Sequence, residues 1–248
     1  MFPETSLLKL KTSRYSGFCF LFGNQKEGDN MTGSQLIIYI TAAFLLIYIP
    51  VAGKYFRLLN TLLHEIGHVL ASFVSGGGIY HVHLFRDTSG VAYTTTSNRL
   101  TSIITSLAGY PFASAAAFAA YWATINGYTE WLYYVLFIIL AFSLLFWVRN
   151  WFGFFWIIAF LAGTTAVYRY APDEILAMYI YLITAVLLVE SVRSSWVILY
   201  LSIVSPQKAG DATALKKFTG ISCRLWGLVF FLQALYFGVY LTGKFLTG

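Results

Sequence analysis

The segment His64-Glu65-Ile66-Gly67-His68 carries the plainest chemistry in the chain. Two histidines four residues apart lie on one face of a helix, one turn from each other, so both imidazoles can reach a single Zn2+ at about 2 Å. Glu65 follows the first of them and can act as general base toward a zinc-bound water. Zinc lowers the pKa of such a water to roughly 7, which makes hydroxide available at neutral pH. The chemistry implied is metal-assisted hydrolysis. The same helical face continues with Asn60 one turn before His64 and Ser72 one turn after His68. The other two histidines, His81 and His83, alternate along a β-prone run and therefore share one strand face. They form either a polar hairpin face at the membrane interface, the reading favoured here, or a further metal or substrate contact.

The elements that must position these groups follow from composition. Of 248 residues 58% are apolar and only 10% charged, against about 25% in an average soluble domain, so a water-exposed surface could not be covered. An ordinary cytosolic enzyme, a disordered chain and a fibrous protein are excluded, and an integral multi-pass membrane protein in the lipid bilayer is expected. In that setting an unpaired Glu65 would cost several kcal/mol, which argues against an accidental match to the motif. The net charge of +6 is scattered without a Lys/Arg block, so no nucleic-acid partner is expected. Cys19 and Cys223 are isolated and offer neither a disulfide framework nor a thiolate zinc site.

About 20 apolar residues cross a bilayer. On that basis seven spans are expected, near 35–53, 57–75, 100–125, 131–148, 151–168, 175–201 and 225–241. The runs Ile79–Phe85 and Val91–Thr95, either side of Asp87–Gly90, read as a β-hairpin. The fold class is thus an all-α multi-span membrane protein with a small β-hairpin after the His-Glu helix. Residues 1–33 are a mixed extension, with translation starting at Met1 or at Met31, and 34–248 form a single domain. Lys and Arg counts favour an inner N-terminus and an outer C-terminus, provided that the run through Arg149-Asn150 breaks into two spans rather than one kinked helix.

These pieces resemble the M50 site-2-protease-like intramembrane zinc metallopeptidases, most closely the M50B-like branch. The likeness is carried by Asn60–His68, Gly76-Gly77, the hairpin through Ser89-Gly90-Val91, Ala108-Gly109-Tyr110-Pro111, Arg149–Gly153 and Gly210-Asp211-Ala212. It implies hydrolysis of peptide bonds in membrane-embedded or membrane-anchored protein substrates, with Glu65 catalytic and His64 and His68 holding Zn2+. The family takes its third ligand from an Asp in an Asp-Gly pattern, and this chain has no Asp-Gly. Asp211, similar to the family's Asp in placement, is the favoured third ligand. Glu190 is the rival, with an ion pair to Arg193 as its structural alternative. Asn150 could hold a substrate backbone, as an Asn does in related proteases, or simply form a turn. Gly109 and Pro111 are expected to shape the start of the third span. Two rival functions remain at this point: an M50-like membrane protein that binds partners without cleaving, and a metal or solute transporter. The transporter would need polar residues in several spans, which beyond Glu190 and Arg193 are scarce.

Overall fold

A computed structural model of the chain describes residues 33–247, so the expectations for the N-terminal extension lie outside the described residues. The chain order is α1 (Gly33–Ile47), α2 (Ala52–Val74), β1 (Gly78–Leu84), β2 (Gly90–Thr95), α3 (Arg99–Ile125), α4 (Thr129–Phe142), α5 (Trp151–Tyr170), α6 (Asp173–Val204), α7 (Gly210–Thr219) and α8 (Cys223–Thr247). Five helices are long and apolar enough to cross a membrane: α3, α4 with the π turn that extends it to Trp147, α5, α6 and α8. The protein is an integral membrane protein.

The seven expected spans reduce to five, or six if α1 and α2 together count as one. The axes of α1 and α2 meet at 104° across a short break. Pro50 lies in that break, where its ring and missing N–H oppose helix continuation. Residues 35–53 therefore read as one apolar run in sequence but supply a helix too short to span alone. The expected break between the fourth and fifth spans is present. α4 runs into a π-helical turn over Ser143–Trp147, and Val148 is extended. Arg149 then donates to the carbonyls of Leu144, Leu145, Phe146 and Val148, satisfying oxygens that the end of a helix leaves unpaired.

α2, α3 and α6 form the core around Leu58, Leu62, Ile66, Val69, Ala113, Ala117 and Ile183. The hairpin folds back along α2. At its base Ser72 Oγ donates to the carbonyls of Gly78 and Thr95 at 3.2 and 3.0 Å. At its tip Thr61 Oγ1 donates to the Thr88 carbonyl at 2.8 Å. β1 and β2 are antiparallel, pairing Gly78 with Thr95 and Leu84 with Gly90, with an irregularity between Ile79 and His81. Val82 and Leu84 are fully buried, which turns His81 and His83 to the opposite face. Their rings stack at 4.6 Å and both meet Tyr93. This pair lies outside the one group of His, Cys, Asp and Glu that could hold a metal among the described residues.

The outer edge of β1 is occupied. Val82 bridges Val148 in parallel, and Arg149 N–H donates to the Val82 carbonyl at 3.2 Å. Asn150 completes the closure: its Nδ2 donates to the Leu84 carbonyl at 2.6 Å, and its Oδ1 accepts from the Leu84 N–H at 3.1 Å. Both ends of the Asn150 amide thus bind the backbone of β1 at Leu84. No described residue pairs with the outer edge of β2.

Candidate metal centre

The centre begins on α2. Its helical spacing places His64 and His68 together, with rings edge to face at 4.6 Å and their Nε2 atoms 3.0 Å apart. His68 Nδ1 lies 2.7 Å from the Thr105 carbonyl on α3. A carbonyl can only accept, so Nδ1 carries the proton and the neutral ring keeps its Nε2 lone pair for a metal. This orienting carbonyl has no sequence signature, because a backbone oxygen is set by packing alone. Tyr110 is a second residue the sequence left without a role: its ring stands edge to face against His64 at 4.5 Å and leans on Phe230 of α8.

Asp211 arrives from a distant part of the chain. α6 ends at Val204, and a 3-10 turn over Pro206–Lys208 redirects the backbone into α7. The first turn of α7 carries Asp211, while Ala212 and Leu215 are fully buried under it. Asp211 Oδ2 lies 3.2 Å from His64 Nε2 and 3.3 Å from His68 Nε2.

These residues fit a zinc ion. Ligand atoms about 2.0–2.1 Å from a tetrahedral metal stand roughly 3.3 Å apart, close to the three separations found here. The buried Asp211 Oδ2 has no hydrogen-bond partner and is aimed at the two Nε2 atoms. His64, His68 and Asp211 thus form one cluster able to hold a metal. Glu190 is elsewhere: Arg193 binds it from Nε and Nη2 at 2.6 and 2.7 Å, and Arg57 Nε reaches it at 3.1 Å. The ion pair weighed as its structural alternative is the one observed, reinforced by Arg57.

Gly109 allows the close approach of α3. A Cβ there would sit 2.5 Å from His64 Cε1 and 2.6 Å from His68 Nε2. Its position is a correction, since Gly109 and Pro111 lie well inside α3, not at its start. Glu65 is 4% exposed and lies on the side of α2 covered by the hairpin. The backbone at Gly90 passes so close that a Cβ would stand 2.7 Å from Glu65 Oε1. The N–H of Ala92 faces the Glu65 carboxylate. Strand β2 therefore starts beside Glu65.

The sequence matches the Peptidase M50B-like family over residues 36–241, and the chain belongs to that family. No curated protein and no solved structure matches it. What family and fold together define is a membrane metallopeptidase-like protein.

Proposed function

We propose that this protein is an intramembrane zinc endopeptidase that hydrolyses peptide bonds in membrane-embedded or membrane-anchored protein substrates. The observation carrying this reading is the convergence of His64 Nε2, His68 Nε2 and the orphaned Asp211 Oδ2 on one point beside Glu65. When bound, zinc would supply Lewis acidity toward the scissile carbonyl and an acidified water. His64, His68 and the ionised Asp211 would hold it. Glu65 takes the proton of the attacking water on its carboxylate and passes it to the leaving amine.

The substrate must be extended here, because a helix hides the carbonyls that hydrolysis attacks. The outer edge of β2 can hold such a segment by strand addition, since the β1 edge is already filled by Val148–Asn150. The reading of a partner-binding protein that does not cleave rested on the lack of an Asp-Gly ligand, and the placement of Asp211 beside both histidines weakens it.

The test compares membranes from cells expressing wild type or Glu65→Gln, by zinc per purified chain and by mass spectrometry of new protein N-termini. About one zinc in both proteins, with new termini only in wild type, is the expected result. Zinc-loaded wild type that yields no termini beyond those of Glu65→Gln overturns the peptidase reading.

A further inference from the structure

The cluster around Glu190 carries one positive charge too many. Glu190 has a side chain only 5% exposed, and it pairs with both Arg57 and Arg193. Arg193 alone gives it a bidentate, near-ideal partner through Nε and Nη2. Arg57 spends one N–H on Glu190 and another on Thr88 Oγ1 at the hairpin tip, 3.1 Å away. Among the described residues no second carboxylate reaches either guanidinium. Asp87, the nearest acid in the chain to Thr88, is turned to Ser89. Two guanidiniums and one carboxylate leave a net charge of +1 between α2 and α6, beside the hairpin tip. Paired ionisable groups with a surplus charge next to a membrane-embedded site mark ligand pathways. The two arginine side chains are 21% and 24% exposed, so a ligand can reach them.

Position tells which ligand. Arg57 and His64 are seven residues apart on α2, hence on one face and about 10 Å along the axis. The hairpin tip lies between them: Thr88 is tied to Arg57 and Thr61, and Gly90, two residues on, abuts Thr61 and Glu65. A peptide laid extended along β2 and past Glu65 therefore meets Arg57 and Arg193 about three residues from the bond above Glu65, at ~3.3 Å per residue.

We infer that Arg57 and Arg193 form an anion subsite that binds a carboxylate of the peptide substrate, about three residues from the cleaved bond. The carboxylate is an acidic side chain or the end of the chain. This rests on the peptidase reading above and names the substrate class for the same site. Arg193 then acts as a specificity residue, with Glu190 fixing the orientation of its guanidinium.

The probes are short peptide hydroxamates, which chelate zinc, carrying Asp or Asn three residues from the hydroxamate. A second pair ends at that position in a carboxylate or an amide. Binding is measured on zinc-loaded full-length protein in nanodiscs. Wild type should bind one carboxylate probe about tenfold tighter than its amide counterpart. Which pair shows the difference separates a side chain from a chain end. Arg193→Gln should reduce the ratio to less than about twofold and Arg193→Lys should restore part of it. Equal binding of carboxylate and amide probes by wild type overturns the subsite and leaves the peptidase reading standing. If no hydroxamate binds zinc-loaded wild type, the metal centre itself is wrong and the subsite falls with it.

Discussion

Asp211 and Glu190 are both carboxylates set among apolar helices, and their oxygens have opposite fates. Both oxygens of Glu190 are filled by guanidinium N–H donors. Asp211 Oδ2 faces the Nε2 atoms of His64 and His68 and has no hydrogen-bond partner, and the tautomer that Thr105 sets at His68 leaves that Nε2 without a proton. A satisfied buried acid is complete as it stands and acts as structure. An unsatisfied one beside lone pairs is arranged for a cation. The difference separates a metal ligand from a structural ion pair more sharply than depth in the membrane does, and each variant below presses on it.

The largest effect is expected at Glu65. Glu65→Gln should lower peptide hydrolysis by about 10²–10⁴-fold with zinc content unchanged. Loss of zinc together with activity would place Glu65 among the ligands instead. Next are the two acids themselves. Asp211→Asn should strip zinc from the purified protein, with little change in thermal unfolding measured after chelation. Glu190→Gln should leave about one zinc per chain yet destabilise the fold by about 3–5 kcal/mol, because two guanidiniums lose their counter-charge. Exchange of those phenotypes would reverse the assignment.

Gly109→Ala comes third. Its methyl group meets both imidazoles, and forcing it in should cost about 1–3 kcal/mol and weaken zinc affinity about tenfold, read by competition with a chelator. Asn150→Ala should cost about 1–3 kcal/mol by leaving the Leu84 N–H and carbonyl unmatched. Amide exchange should then quicken in β1 while zinc content holds. The smallest effect belongs to Asp87. The Ser89 hydroxyl and then the Ser89 N–H, both donating to it, hold its carboxyl below the usual value. A depressed pKa means that the contribution is complete above about pH 4 and fades as pH falls through the folded value. Ser89→Ala should therefore quicken amide exchange at the tip slightly at pH 7, and the difference from wild type should fade as the Asp87 carboxyl is protonated.

Much of this was readable in the chain as written. His64, Glu65 and His68 needed only helical periodicity, and the hairpin only alternation and a turn. The Asp211 assignment leaned on likeness to a family, because nothing in Gly210-Asp211-Ala212 announces a ligand. The span count went astray where hydropathy has no sense of direction: 35–53 is apolar throughout but turns sharply around Pro50. Asn150 was open to more than one reading for a related reason: a side-chain amide suits any neighbouring backbone, and only the fold brings it to Leu84 of β1.

Composition and local period, then, settle that the chain enters a bilayer and that two imidazoles and a carboxylate share a helix, because those properties depend on residues within a few turns of each other. Which acid joins the histidines, which arginines gather on Glu190 and which sheet edge stays open depend on contacts between segments far apart in sequence. Such contacts are selected by packing, as when Gly109 lets α3 close onto α2 and the turn after α6 swings Asp211 inward. Packing is a property of the whole bundle, and no window of residues contains it.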